Sequence, residues 1–220
     1  FKLLQATLQF LGKEEGLESV LDLVAIGTIA DKVPLLEENR YLAQKGLQEL
    51  RRTGRPGLRA VAEVVRLQMQ YLDSDDVSWT IAPRLNAPGR LDSAMTSYRL
   101  IMAGSSDEAS QLALRLEEKN LQRQKLTEEF LTKAKMELAA SAGSPLLMVG
   151  GQEYPSGIAG LIAGKLSEEF YRPSFVYEVR DSVATGSARS IPEFDVVSAL
   201  AQCGDLLERF GGHPAAAGFT

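Results

Sequence analysis

The sequence predicts a mixed α/β protein in which one long helix separates two parts of the chain. Hydrophobic residues make up 45% of the 220 residues and charged residues 24%, which leaves enough apolar material for a packed core. No glycine or proline occurs between Ser105 and Ala140, so a long helix is expected there. After Leu146 the pattern runs strand, helix, strand, strand, helix, which is typical of a small α/β domain.

The bulk composition excludes several classes of protein. A net charge of −5 excludes a basic coat for nucleic acid, although local basic patches remain open. The single cysteine, Cys203, excludes a disulfide framework and fits a reducing compartment, so a cytoplasmic protein is expected. No apolar run reaches the length of a membrane span and no signal peptide is visible, so no membrane partner is expected. Because Phe1 already lies on an apolar helical face, the chain is expected to begin inside a domain.

The first 104 residues are predicted to be largely helical. The apolar run Val20–Ala30 suits either a buried strand or a buried helix, because periodicity does not separate the two at this length. Amphipathic patterns predict helices over Glu38–Arg51 and Leu58–Gln70, with strong breakers between them at 53–57. A short helix is expected over Ser93–Ala103.

Asp31 stands at the end of the apolar run. A carboxylate in that place is costly unless it is paired, hydrogen-bonded or bound to a metal ion. Asp31 is therefore a candidate metal ligand, and the alternative is that it caps the next turn. Asp22, inside the run, is the competing candidate for a metal ligand. It could equally be a carboxylate at the start of a helix.

The segment Ile81–Leu91 contains two prolines and a glycine, which predict an ordered loop. Arg84, Asn86 and Arg90 on such a loop would bind phosphate through guanidinium forks and amide donors. The alternative is that the arginines pair with carboxylates of the same fold.

The long helix is expected to begin at Ser105, with Glu108 completing a capping box, and to span about 50 Å to Ala140. Its middle, Glu117–Lys125, is polar, whereas both ends carry apolar stripes. This pattern indicates a bridge between two domains, with Arg123 facing the space between them, or else a long surface helix. The apolar residues of the two ends are Leu112, Leu116, Leu126, Phe130, Ala134 and Leu138.

The remaining elements follow a predicted linker at 141–145. Strands are expected at Leu146–Val149, Ser174–Glu178 and Val183–Arg189, and helices at Ile158–Phe170 and Asp195–Cys203.

The chain ends in a segment of small residues, Arg209–Gly218. Gly211 and Gly212 remove side chains where something approaches the backbone, and the only histidine, His213, follows at once. Arg209 adds a planar fork suited to phosphate or carboxylate. The segment is either an anion-binding loop or a tight turn with a close-packed element behind it.

Four motifs together resemble one family. TIAD at Thr28–Asp31, RLNAPGRL at Arg84–Leu91, GSARS at Gly186–Ser190 and RFGGHPAAAGF at Arg209–Phe219 are similar to RecJ. RecJ proteins are single-strand-specific, 5′-to-3′ DNA exonucleases of the DHH phosphoesterase superfamily. The resemblance extends over essentially the whole chain.

The resemblance implies a domain scheme and an activity. Residues 1–104 would be the C-terminal part of a DHH phosphoesterase domain, 105–140 a connecting helix, and 141–220 the DHH-associated substrate-binding domain. It implies metal-dependent hydrolysis of single-stranded DNA in repair and recombination, with two Mn²⁺ or Mg²⁺ ions. The paired aspartates and the Asp-His-His motif would precede Phe1, and an OB-fold would follow Thr220. The fragment itself is expected to be inactive.

The resemblance also implies residue roles. Asp31 matches the last metal-binding aspartate of the superfamily, and Asp31 and His213 are the expected catalytic residues. Tyr154-Pro155 stands where RecJ proteins usually carry Trp-His, and an aromatic platform is expected to survive as Tyr154. The expected phosphate or nucleic-acid contacts are Arg84, Asn86, Arg90, Arg123, Ser187, Arg189, Arg209, Gly211, Gly212 and His213.

The expected partner is single-stranded DNA, with a single-strand-binding protein or a helicase as further partners of a monomer. Two other functions remain open. One is a different phosphodiesterase of the superfamily, acting on short oligonucleotides or a cyclic dinucleotide. The other is a non-catalytic, RecJ-like DNA-binding scaffold whose metal ligands have decayed.

Overall fold

The computed structural model describes residues 1–13, 16–139 and 143–220. The chain divides into two compact units, Phe1–Asn120 and Leu121–Thr220. The predicted mixed α/β class is confirmed. In the part of the chain that the structure describes, all strands lie in the second unit, and the regular structure of the first unit is helical.

The described residues of the first unit form six helices and the first part of a seventh. They are α1 (Lys2–Phe10), α2 (Leu21–Ala30), α3 (Glu37–Arg51), α4 (Pro56–Val64), α5 (Ala82–Leu91), α6 (Met95–Ile101) and α7 (Ser106–Leu138). Single 3₁₀ turns lie at Leu17–Val20 and Met69–Tyr71, and a π-helix at Asp76–Ile81 precedes α5.

The ambiguous apolar run forms α2. Asp22, Ala25, Ile26 and Ile29 are its buried residues, and their spacing of three and four is that of one helical face. This face packs on α3 and the π-helix in one core cluster. Gly46 of α3 permits the contact, because a Cβ there would lie 2.3 Å from the carbonyl oxygen of Leu21.

The prediction of a loop over Ile81–Leu91 is wrong, because residues 82–91 form α5. Pro83 lies in the first turn of α5, directly after the π-helix, and the fixed φ of proline suits the helical backbone there. Pro88 lies inside the helix, and the burial of Ala87 and Pro88 offsets the cost of that proline.

A second core cluster joins α4, α6 and the start of α7. The predicted N-terminal stripe of the long helix is confirmed, because Leu112 and Leu116 pack there with Val61 and Leu100. The N–H of Glu108 donates to Ser105 Oγ over 3.3 Å, as the capping pattern predicts.

The second unit holds a five-stranded sheet with the order β1-β2-β3-β5-β4. Only β1 and β2 are parallel, and the other neighbours are antiparallel. The segment that contains the glycine pair and the histidine is the hairpin of the last two strands. The strands are β1 (Leu147–Gly151), β2 (Ser174–Arg180), β3 (Val183–Arg189), β4 (Phe210–His213) and β5 (Ala216–Phe219), and the helices are α8 (Ser156–Phe170) and α9 (Val196–Gln202).

Helices α8 and α9 cover opposite faces of the sheet. Ala188 packs with Val196 and Leu200 of α9. Its neighbour Arg189 lies against Gly160 of α8, and adjacent strand residues point to opposite faces. Of the predicted linker at 141–145, residues 141 and 142 lie outside the described residues. Among the described residues, no helix is long and apolar enough to span a bilayer.

Candidate functional site

Two cross-strand rows place the predicted C-terminal residues on one face of the sheet. In the first row Arg189 of β3 pairs with Ala216 of β5, which pairs with His213 of β4. Directly paired residues share a face, so Arg189 and His213 lie on the same side. This is the side that α8 covers.

The second row runs parallel to the first and contains the smallest residues. Ser187 of β3 pairs with Gly218 of β5, which pairs with Gly211 of β4. The residues of both rows form what we call the small-residue surface: Ser187, Arg189, Gly211, His213, Ala216 and Gly218.

Half of the small-residue surface is open to solvent. Helix α8 packs on β2 and β3, whereas Gly211, His213 and Gly218 are exposed. A Cβ added at Gly211 would meet no atom within 4 Å. Helix α8 therefore covers the surface at Ser187 and Arg189, whereas the surface is open to solvent over the hairpin of β4 and β5.

Arg189 and Ser187 meet at α8. Arg189 Nη2 lies 3.0 Å and Ser187 Oγ 3.4 Å from the point where a Cβ of Gly160 would stand. Nη1 of Arg189 donates to the carbonyl oxygen of Ala188 over 2.8 Å. A hydroxyl and a guanidinium are thus held side by side, half-buried.

The hairpin that carries Arg209 is in register with the small-residue surface. Arg209 and Thr220 exchange two backbone hydrogen bonds, of 3.2 and 2.8 Å. Because bonded and non-bonded pairs alternate in an antiparallel ladder, Gly211 pairs its N–H with Gly218, whereas Gly212 directs its N–H to the free edge. Gly212 has φ +149°, a conformation that favours glycine.

The exposed Arg209 completes the arrangement. Its side chain belongs to the same face as Gly211 and His213 by strand alternation. Within the described residues, the Arg209 guanidinium has no hydrogen bond or ion pair. Together with Arg209, the small-residue surface presents two arginines, one hydroxyl and one histidine around glycines, which suits a phosphate chain.

Arg84 has a different environment. Its Nε donates to Glu117 Oε2 over 2.5 Å and its Nη2 to Oε1 over 3.2 Å. Its Nη1 donates to the carbonyl oxygen of Thr80 over 2.8 Å. This is the carboxylate pairing that the sequence left open, and a phosphate role for Arg84 stays a prediction.

Asn86 and Arg90 lie one turn apart on the exposed side of α5. Desolvation by neighbouring atoms lowers the pKa of the Arg90 guanidinium, which stays charged at neutral pH. Arg123 is half-buried in α7. The predicted nucleic-acid roles of these three residues stay predictions.

The two acidic candidates of α2 differ sharply. Asp22 is buried, and its Oδ2 accepts from Thr53 Oγ1 over 2.8 Å and from Arg55 Nε over 2.9 Å. Asp31 is the exposed residue that ends α2. Asp22 thus has a structural role as the carboxylate that starts a helix, and Asp31 keeps its carboxylate towards solvent.

The described residues do not form a metal site on their own. Across 1–13, 16–139 and 143–220, no three His, Cys, Asp or Glu side chains gather closely enough to hold a metal ion. One exposed carboxylate, that of Asp31, does not fit a bound divalent cation without further ligands.

Tyr154 is not an aromatic platform. Its side chain is 2% exposed, and its ring lies 5.3 Å from that of Phe130. Its hydroxyl donates to Glu137 Oε2 over 3.1 Å. Burial, together with this hydrogen bond, raises the pKa of Tyr154. The expected stacking role is wrong, because no face of the ring is accessible to a base.

Sequence reasoning missed Gly160. No functional role was assigned to the glycines of α8 from the sequence, because what they face depends on a strand more than twenty residues away. The spacing of Gly160 and Gly164 was the available signal.

The comparison with protein families finds one similarity, in the C-terminal part of the chain. Residues 142–220 match the DHHA1 domain. The segment that carries the small-residue surface is therefore similar to the DHHA1 domain.

The comparison with individual proteins extends the similarity to the whole chain. The single-stranded-DNA-specific exonuclease RecJ of Bacillus subtilis is 40% identical over 224 residues, covering 100% of this chain and 28% of that protein. RecJ of Escherichia coli is 34% identical, covering 93% of this chain and 37% of that protein. The predicted resemblance to RecJ is confirmed.

Solved structures agree. RecJ from Thermus thermophilus in complex with Mn²⁺ matches with a TM-score of 0.88 and 35% identity, over 99% of this chain and 32% of that one. The same protein in complex with Mg²⁺ matches with a TM-score of 0.87. The chain spans about a third of the length of these relatives.

Proposed function

We propose that this chain is part of a RecJ-like exonuclease that degrades single-stranded DNA from 5′ to 3′ in DNA repair and recombination. The observation that carries the proposal is similarity to RecJ along the whole chain, at 40% identity to the Bacillus subtilis protein. Because the chain spans about a third of its relatives, the activity of the whole protein is part of the proposal.

In this proposal the small-residue surface binds the DNA backbone. Arg189 and Arg209 form charge-assisted hydrogen bonds to phosphate oxygens, and Ser187 donates from its hydroxyl. Gly211 supplies an open surface on which the DNA strand lies. Gly212 offers its backbone N–H, at the edge of the sheet, to a phosphate oxygen. His213 donates to a phosphate oxygen. Support comes from the shared sheet face and the exposure of the hairpin.

The helical unit contributes to metal binding in this proposal. Asp31 contributes one carboxylate to a divalent cation, Mn²⁺ or Mg²⁺, whose other ligands lie outside the described residues. A divalent cation supplies Lewis-acid stabilisation of charge at phosphorus when bound. Asn86 and Arg90, with Arg123 of α7, offer further phosphate contacts, whereas the guanidinium of Arg84 is held by Glu117.

The proposal keeps a three-part organisation: 1–104 as part of a DHH phosphoesterase domain, 105–140 as a connecting helix, and 141–220 as the substrate-binding domain. It places the protein in the cytoplasm as a monomer, with a single-strand-binding protein or a helicase as partners. The chain alone binds single strands weakly and does not hydrolyse them.

The test is fluorescence anisotropy of a 3′-labelled oligothymidylate at low salt. Arg209→Ala should weaken binding about five-fold or more, since one charge-assisted phosphate contact is lost. Arg115→Ala, which removes an exposed arginine of α7, is the matched control and should change little. Equal effects of the two variants, or equal affinity for duplex and single strands, would contradict the proposal. Preference for a cyclic dinucleotide would favour another phosphodiesterase, and Mn²⁺-dependent hydrolysis by residues 1–220 would contradict the proposed inactivity.

A further inference from the structure

We infer that Gly160 of α8 is a positioning residue that sets the orientation of Arg189 and Ser187 on the small-residue surface. The inference rests on the proposed function, which assigns these two side chains to phosphate. Gly160 itself touches no substrate in this scheme. Its contribution is the absence of a side chain at one point of the helix.

The contact distances carry the inference. Arg189 Nη2 is 3.0 Å and Ser187 Oγ 3.4 Å from the position of an ideal Gly160 Cβ. Real Cβ atoms rarely have neighbours at 3.0 Å, so a methyl group there would displace the guanidinium by a few tenths of an ångström. The atom that must yield is the flexible end of an arginine, so the helix and sheet keep their places and only the polar groups move.

The displacement of the Arg189 guanidinium matters for phosphate binding. Arg189 lies two strands away from His213, in one cross-strand row. A phosphate bound between them requires the Arg189 fork at a fixed distance and angle, because hydrogen bonds weaken steeply with misalignment. A methyl group at position 160 shifts the guanidinium by a few tenths of an ångström, so its hydrogen bonds to that phosphate are misaligned and weaker.

Helix α8 supplies a matched control one turn further on. Gly164 is half-buried like Gly160, yet a Cβ there would meet only Arg189 Cγ, at 3.9 Å, which is ordinary van der Waals contact. Gly160→Ala and Gly164→Ala make the same chemical change in the same helix. Both gain helix propensity, so neither should lower the melting temperature.

The experiment measures binding of a 3′-labelled oligothymidylate to the 220-residue chain as a function of salt. Gly160→Ala should weaken binding about three-fold, because misaligned charge-assisted hydrogen bonds lose part of their strength. Arg189→Ala should weaken binding more and reduce the salt slope by about 0.7, the value for one lost phosphate contact on a single strand. Gly164→Ala should change binding less than about two-fold. In an Arg189→Ala background, Gly160→Ala should have no further effect.

Each other outcome has a distinct meaning. If Arg189→Ala weakens binding and Gly160→Ala does not, the positioning role is wrong and the proposed function stands. If both glycine variants weaken binding equally, the effect is helix packing and the inference is wrong. If neither the wild-type chain nor any variant binds single strands, the proposed function fails and the inference fails with it.

Discussion

Arg84 of the helical unit and Arg209 of the sheet-containing unit were both assigned to phosphate by the sequence, and their surroundings are opposite. Arg84 uses three N–H groups on Glu117 and on the carbonyl oxygen of Thr80. Arg209 is exposed at the start of the terminal hairpin, next to glycines. Arginines in two equally plausible motifs thus have different roles. The guanidinium of Arg84 is hydrogen-bonded within its own unit, whereas that of Arg209 is available to a ligand.

The same contrast holds for the acidic residues of α2. Asp22 is buried between Thr53 and Arg55, whereas Asp31 faces solvent. Charged groups whose hydrogen bonds are satisfied inside a unit stabilise the fold. Charged groups that stay exposed beside small residues are the ones a phosphate chain or a cation can reach.

The largest expected effect comes from breaking the buried ion pair. Asp22→Ala should lower the free energy of unfolding by about 3 kcal/mol, because Arg55 and Thr53 are left without their shared acceptor. Asp31→Ala, at the other end of the same helix, should change it by less than about 0.5 kcal/mol. Urea denaturation followed by circular dichroism measures both. Similar losses of unfolding free energy for the two variants would show that the buried carboxylate of Asp22 and the exposed carboxylate of Asp31 do not differ in their role in stability.

Backbone constraint at the hairpin gives the next largest effect. Gly212→Ala should cost about 2 kcal/mol, because its φ is +149° and a Cβ would lie 2.2 Å from the carbonyl oxygen of Ala216. Gly211→Ala should leave stability within about 0.5 kcal/mol, since its Cβ meets nothing within 4 Å, while the added methyl obstructs the open surface. Thermal unfolding and oligothymidylate anisotropy separate the two roles. A stable Gly212→Ala variant would contradict the hairpin geometry.

The two arginines can be compared directly. Arg84→Ala should destabilise the protein by about 1.5 kcal/mol, because the side chains of Arg84 and Glu117 are only 16% and 23% exposed. Arg209→Ala should be neutral in stability within about 0.5 kcal/mol and should weaken oligothymidylate binding more than Arg84→Ala does. If Arg84→Ala leaves stability unchanged and abolishes binding, its phosphate role is supported and the contrast is wrong.

The smallest expected effect concerns Tyr154. Tyr154→Phe should cost about 1 kcal/mol through loss of the hydrogen bond to Glu137. Because burial raises the pKa of Tyr154 in the folded state, the stability it adds is complete below the ordinary tyrosine pKa, about 10, and is lost as the pH rises beyond it. Melting temperatures from pH 8 to 11 should fall less steeply for Tyr154→Phe than for the wild type. Tyr41→Phe, at an exposed tyrosine, is the control for the loss of a tyrosine hydroxyl.

Much of the fold was accessible from local pattern. The predicted strand Val183–Arg189 has the same bounds in the structure, and the helix predicted over Glu38–Arg51 begins one residue earlier, at Glu37. The error at 82–91 has a physical cause, since prolines in a helix are judged as breakers from sequence. In α5 one proline falls in the tolerant first turn and the other is buried.

The candidate site was accessible only in part. Ser187, Arg189, Gly211 and His213 were selected by their motifs, and strand register brings them to one face. Tyr154 was misjudged, because its exposure depends on Phe130 and Glu137 of a separate helix.

The sequence by itself determined the kinds of element, the long helix and the resemblance to RecJ, because periodicity, breakers and motifs are encoded over short stretches. Only the tertiary structure decided which charges are available to a ligand. Arg84 meets Glu117 across 33 residues of sequence, and Arg189 meets Gly160 across a sheet–helix interface. Whether a polar side chain is committed or available depends on such distant partners, and no local pattern specifies them.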